Sequence, residues 1–369
     1  MMLCGFDWPA GRSKQVAYLD EYYHIREMLV KEGENWQEYD LTAQTNAPKA
    51  SDKSPLVGYS WTAGSTKQIV YMDRNRHIQE LYTSVHGRWE CTNLTAITHA
   101  PLVDGTAICG FEWTAGNTKQ VVYVDHNYHI QEMHVGPGGY WQVTDLTELT
   151  GAPLAEGTHI VGYDWPAGKS KQVAYIDNQG HIIELCVGIG EQWHFTDITK
   201  LTGAPLANHG NLGPSLTAFA WEAGQSKQII YQDCNEHIIE MHVTIGGQWQ
   251  LADLTMVAQA PLANSIGGIA GYDWPAGRSK QVIYVDSNYH VQELHVRESD
   301  YWRCVDLTAA TCAPRVQEGP ITGFAWSAAN TKQVVYTGPR KSIQELYVSI
   351  GGQWQVADLT LLTSSLMLV

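Results

Sequence analysis

Tryptophan spacing constrains this chain more than any other feature. All 14 Trp fall into two series: Trp8, Trp61, Trp113, Trp165, Trp221, Trp274 and Trp326, and Trp36, Trp89, Trp141, Trp193, Trp249, Trp302 and Trp354. Each second-series member follows its counterpart by 28 residues, and successive pairs are 53, 52, 52, 56, 53 and 52 residues apart. Seven copies of one unit therefore fill the 369 residues, with no room for another domain. The copies run approximately over 1–52, 53–105, 106–157, 158–211, 212–264, 265–317 and 318–369.

Each copy reads roughly G-F/Y-x-W-x-A-G-x-S/T-K-Q-V/I-x-Y-x-D-x-x-x-H-I/V-x-E-L/M, then a Gly-rich stretch, then W-x-x-x-D-L/I-T-x-x-T-x-A-P. In the third copy four short runs stand out: Ile108 to Trp113, Lys119 to Asp125, His129 to Val135 and Trp141 to Thr147. Each is rich in β-branched and aromatic residues and bounded by turn formers. None reaches the ~10–12 residues of a helix. Four antiparallel strands repeated seven times predict an all-β, seven-bladed β-propeller. Strands A to D run from the centre outward. Both Trp series and the Lys-Gln pair then lie at one end of the blades, and the Asp and His series at the other. Two closures of the ring are open: blade 7 packing on blade 1, or the first strand completing the last blade by hydrogen bonding. The apolar tail Leu361–Val369 is expected to pack at a seam or a subunit interface.

Composition narrows the partners. Lys plus Arg is 23 against 38 Asp plus Glu, a net charge of −15, which disfavours nucleic acids and anionic membrane surfaces. No run approaches the ~20 apolar residues of a membrane span. The first residues show no secretion signal, so cytoplasmic synthesis is expected, with any release by a non-classical route. The seven Cys include no C-x-x-C pair, so neither a zinc site nor a full disulfide framework is expected. One exposed Cys pairing between chains stays open.

A catalytic centre breaks repeat symmetry, because nucleophile, base and oxyanion donors differ in role. Here the polar groups recur as equivalent copies, so no enzyme, cofactor or metal is expected. His129 and His134 are five apart on a strand and so point to opposite faces, as do His237 and His242, and His290 and His295.

Repeated polar groups beside aromatics suit multivalent sugar recognition. Rings cover the C–H face of a sugar, while carboxylates and amides take its hydroxyls. The first-choice pocket combines a strand-B Gln, a strand-C Glu and a second-series Trp. Its members are Gln15, Glu27 and Trp36; Gln68, Glu80 and Trp89; Gln120, Glu132 and Trp141; Gln172, Glu184 and Trp193; Gln228, Glu240 and Trp249; Gln281, Glu293 and Trp302; and Gln333, Glu345 and Trp354. Strand alternation puts Gln15 and Glu27 on one face; Trp36 reaches that face only if the C–D loop turns it. A second-choice pocket uses the first-series Trp with the loop after it, such as Trp8, Gly11 and Ser13. Both lie at one end, so one site can draw on both and on adjacent blades. The seventh copy carries Gly338 and Ser342 where the others have Asp and His, and Ala329 where they have the loop Gly. A site built on those features would be sixfold. Glu132 facing a groove would carry little stability.

The run Gln120-Val-Val-Tyr-Val-Asp125, His129-Ile-Gln-Glu132 and Trp141 resembles the blade core of fungal fucose-binding propeller lectins of the Aleuria type. In that family a strand-B Arg, a strand-C Glu and a strand-D Trp surround fucose between blades; here Gln stands at the Arg position. The whole repeat is similar to the seven-bladed lectins of Photorhabdus, which bind L-fucose and O-methylated sugars and form oligomers. The resemblance implies a bacterial, non-catalytic lectin for fucosylated or O-methylated host glycans, assembled as a dimer or tetramer. The alternatives are a protein-interaction propeller with structural aromatics and, further off, a glycan-processing enzyme.

Overall fold

The structure, a computed structural model, describes residues 2–208, 215–264, 267–317 and 319–363. Residues 364–369 of the apolar tail lie outside this range. Seven sheets of four antiparallel strands each form a β-propeller. In blade 1 strands A to D are Leu3–Trp8, Ser13–Leu19, Ile25–Lys31 and Gln37–Asp40. In blade 3 they are Val103–Trp113, Thr118–Asp125, Ile130–Val135 and Gln142–Asp145. Every sheet is built from one continuous stretch of chain, so no strand from one terminus completes the blade at the other. Blade 7 closes the ring by packing on blade 1, the first of the two closures the sequence left open.

The G-F/Y pair of strand A explains how neighbouring blades mesh. A Cβ built on Gly110 would lie 2.4 Å from the Tyr59 ring, and one on Gly162 would lie 2.1 Å from Phe111. The aromatic of each blade therefore lies directly on backbone of the next, where only hydrogen is tolerated. At the ring closure Gly5 receives Phe324 in the same way. Blade 5 departs from the rule with Ala218.

The strand-B tyrosines are core: Tyr71, Tyr123, Tyr175, Tyr231, Tyr284 and Tyr336 are fully buried. Their hydroxyls donate to the carbonyl of the Ala-Pro proline from the preceding copy, as Tyr123 does to Pro101 at 2.7 Å and Tyr336 to Pro314 at 2.6 Å. In blade 1 Tyr18 donates to Glu38 instead.

One element differs from the expectation. The D-L/I-T-x-x-T segment leaves strand D after its Asp and forms a helix of four or five residues, such as Leu41–Thr45 and Leu146–Thr150. Asp145 caps the latter by accepting from the Glu148 N–H at 2.8 Å, and its other oxygen meets His129 Nδ1 at 2.7 Å. Thr147 Oγ1 accepts from the Ile130 N–H at 2.8 Å. The turn between strands B and C is locked by Asp20, which accepts from the backbone N–H groups of Tyr22 and His24 at 2.9 and 2.8 Å. The Asp series is thereby occupied in closing the turn between strands B and C, and the His series in tying strand C to the end of strand D.

Candidate functional site

Alternation along strand B sends Gln and Lys to opposite faces of the blade. Gln15 lies opposite Leu29 in the register, so it shares a face with Glu27. Lys14 and Trp36 occupy the other face. Each sheet meets two neighbours, and the polar pieces therefore assemble across the blade interfaces rather than within a blade.

At the closure of the ring, a groove of about 520 Å³ is lined by Glu345, Tyr347, Ala357 and Leu362 of blade 7 with Trp326, and by Lys14 and Trp36 of blade 1 with the turn around Gly33. Lys14 Nζ lies 2.5 Å from Glu345 Oε1. It also stands over two indoles, 5.0 Å from the Trp326 ring and 5.2 Å from the Trp36 ring. The same set recurs at every interface. The ion pairs are Lys67–Glu27, Lys119–Glu80, Lys171–Glu132, Lys227–Glu184, Lys280–Glu240 and Lys332–Glu293, at 2.5 to 2.7 Å. Each Lys sits between a first-series Trp of the preceding blade and a second-series Trp of its own. Lys67 lies 5.0 Å from both Trp8 and Trp89, and Lys171 lies 5.0 Å from Trp113 and 5.2 Å from Trp193.

The pairs are almost wholly enclosed, with Glu132 at 1 % exposure and Lys171 at 4 %. Burial pushes the Glu27, Glu80 and Glu345 carboxyls up and the Lys14, Lys67, Lys119 and Lys332 ammonium groups down, each opposed by the pull of its partner. At Glu293 burial also works upward, yet Lys332 and His295 together carry the net direction down. The two rings and the carboxylate replace the water that the ammonium loses.

Both pockets read from the sequence thus merge into one. Glu27 and Trp8 of blade 1 meet Trp89 of blade 2, and Trp36 joins Glu345 instead. The Gln series lies behind the groove. All seven are fully buried, each amide nitrogen bonds a Ser or Thr hydroxyl two residues back, as Gln15 does to Ser13 at 2.7 Å, and each Oε1 has no hydrogen-bond partner in the protein. The indole Nε1 of every first-series Trp is likewise buried without a protein partner. Gly11 does not offer backbone to a ligand, because the Trp8 ring covers it: a Cβ there would lie 2.3 Å from the ring. Sequence reasoning missed the Lys series. The signal was available, since Lys precedes Gln in all seven copies and must face the other neighbour.

Because blade 7 keeps Lys332, Glu345 and Trp354, the arrangement is sevenfold. Away from these grooves, a shallower depression of about 330 Å³ holds Tyr23, Ser51, Asp52 and Arg74 between blades 1 and 2. Among the described residues there is no cluster of three or more His, Cys, Asp and Glu side chains able to hold a metal, and no helix long and apolar enough to cross a membrane.

The arrangement of blades matches known proteins. The lectin BP39L of Burkholderia pseudomallei superposes with a TM-score of 0.73 at 13% identity, covering 95% of this chain and 96% of that one. The likeness is one of fold, a β-propeller. The Aleuria aurantia lectin, a six-bladed propeller described with a fucose recognition mode, gives 0.56 at 17% identity over 82% of this chain and 94% of its own. SapL1, solved with α-methyl fucoside, gives 0.53 at 13% identity over 97% and 95%. No family model and no curated protein matches the sequence.

Proposed function

We propose that this chain is a multivalent, non-catalytic lectin that takes L-fucose or an O-methylated sugar in the grooves between its blades. The observation that carries the reading is the sevenfold recurrence of two indoles, a lysine and a carboxylate at one interface after another. The rings offer apolar surface to the C–H face of a sugar, and the edges of the Glu–Lys pair serve its hydroxyls. Leu362 and Ala357 at the closing groove add an apolar wall, which suits a deoxy-sugar methyl or an O-methyl group. Among the propellers of like fold, SapL1 was solved with α-methyl fucoside and the Aleuria lectin with Fucα1-6GlcNAc.

A single shallow site of this kind binds at about millimolar Kd, near −4 kcal/mol. Several grooves on one ring raise avidity for a glycan-coated surface by ~10²–10⁴ without new contacts. A homo-oligomer, dimer or tetramer, multiplies this further, and sedimentation showing monomer alone removes that part. Polar groups repeated in equivalent copies support binding rather than catalysis. Calorimetric titration with α-methyl-L-fucoside and with O-methylated sugars tests the whole reading. Saturable heat with several sites per chain is expected; no heat with any of them would overturn it in favour of a protein-interaction propeller.

A further inference from the structure

The seven grooves share their Trp, Lys and Glu but differ at the residue two positions beyond the Glu on strand C. That residue is His134, His242 and His295 in three grooves, Tyr82 and Tyr347 in two, and Leu29 and Cys186 in the others. It lies on the same face as the Glu and touches the same space, as Tyr347 does in the closing groove.

The histidines stand out in what they do to the carboxylate. One Glu oxygen holds the lysine. The other faces the imidazole: Nδ1 lies 3.7 Å from Oε2 in His134–Glu132, 3.5 Å in His242–Glu240 and 3.4 Å in His295–Glu293. These separations leave Nδ1 just short of a bond. All three Nδ1 atoms are buried without a hydrogen-bond partner, although the rings are 25–27% exposed. In the tyrosine grooves the hydroxyl is turned to strand D, Tyr82 to Glu90 and Tyr347 to Gln355, both at 2.6 Å.

We propose that His134, His242 and His295 make three of the seven grooves a separate, acid-sensitive class of sugar site, in which the imidazole competes with a ligand hydroxyl for the groove carboxylate. The proposal rests on the lectin reading above. A neutral imidazole leaves Oε2 free to accept from a sugar hydroxyl. An imidazolium places an N–H⁺ against that oxygen and closes the short gap, so the carboxylate becomes half of an ion pair.

The surroundings of each ring set when this happens. His134 faces Glu132 on its own strand, Lys171 from the next blade, and the neutral Gln120 and Gln142 opposite it on strands B and D. His242 faces Glu240, Lys280, Gln228 and Gln250. His295 faces Glu293, Lys332, Gln281 and Arg303. Burial, with the lysine in support, moves His134 and His242 below the ordinary histidine value against the pull of the glutamate. In these two grooves the change therefore falls in mildly acidic solution and leaves the groove open at neutral pH.

The other four grooves carry the same Lys–Glu pair without histidine and act as internal controls. Titrating the full chain with α-methyl-L-fucoside at pH 7.5 and pH 4.5 should lower the number of occupied grooves from about seven to about four, with at least a ~10-fold weakening in the histidine class. The triple variant H134L, H242L and H295L, which installs the residue found at position 29, should abolish that difference. If the triple variant does not fold, Leu29→His should add one more acid-sensitive groove.

Histidine Cε1–H resonances of the sugar-free protein provide a readout independent of binding. Those of His134 and His242 should titrate within this range, and rings that stay neutral throughout overturn the proposal. Equal occupancy at both pH values, or loss in all seven grooves together, also overturns it while leaving the lectin reading intact. Absence of sugar binding at pH 7.5 defeats the lectin reading itself.

Discussion

Lys119 of blade 3 reaches across the interface to Glu80 of blade 2, with Nζ 2.6 Å from Oε1 and both side chains nearly excluded from water. One such bond ties each of the seven blades to the next, including the last to the first through Lys14 and Glu345. The pairs belong to the scaffold and to the groove at once. A buried pair adds little net stability over an apolar substitute, but removing one partner strands a charge at a cost of about 3–5 kcal/mol.

Glu132→Gln should therefore destabilise the protein by several kcal/mol, because Lys171 is left buried between Trp113 and Trp193. This reverses the sequence-based expectation that Glu132 carries little stability. Replacing both members, Glu132→Gln with Lys171→Met, should recover part of the loss. Denaturant titration of the two variants checks the ordering: an equal loss in single and double variants contradicts it.

The propeller was legible because its signature is periodic. Trp spacing, short strands and turn residues are local, and the blade count follows from arithmetic. Placing Gln15 and Glu27 on one face also follows from alternation alone. Knowing which blade each face meets requires the packing of sheet on sheet, which no single repeat encodes. Trp36 was therefore grouped with Glu27 when it joins Glu345. The lysines were passed over for a physical reason: Lys is seldom fully buried unless paired, and its partner lies in another blade, 39 residues away for Lys119 and 331 for Lys14. The helix after strand D was missed although Asp-Leu-Thr at its start is an N-cap signal, since its five residues fall below the length that periodicity detects.

Blade contacts at strand A give a sharp steric test. Gly110→Val places side-chain atoms where Tyr59 already sits, and overpacking of this kind costs about 1–3 kcal/mol or more. Tyr59→Ala in the same chain should relieve the clash while leaving a cavity. A melting temperature for Gly110→Val equal to that of the parent would show that the interface can shift to admit a side chain.

Trp141 stands over Lys119 at 5.1 Å, with Trp61 on the other side at 5.4 Å. Trp141→Ala should remove the sugar site between blades 2 and 3 and leave the remaining grooves working. Partial exposure of this ring keeps the stability cost below the ~3–5 kcal/mol of a fully buried Trp. Calorimetric stoichiometry reduced by one site, at little-changed affinity for the others, is the expected result. Unchanged stoichiometry would make the ring part of the scaffold only.

Asp273 offers a pH test apart from sugar. Its carboxylate accepts from the Glu222 N–H at 3.0 Å, and burial raises its pKa from 3.8 to about 6, with Glu222 adding to the rise against the backbone donors. Between about pH 4 and 6 the folded chain thus binds this proton more readily than the unfolded chain. The sign follows from linkage: this group costs stability in full above pH 6, and the cost fades as the pH falls to about 4. Asp273→Asn keeps an acceptor for the Glu222 N–H and removes the charge. It should therefore be more stable than the parent by about 1–2 kcal/mol at pH 7.5, after discounting for partial exposure, and indistinguishable from it near pH 4. Denaturation midpoints across that range decide the matter. A variant less stable than the parent at pH 7.5 would mean that the ionised carboxylate gains more from the backbone donors than it loses to burial.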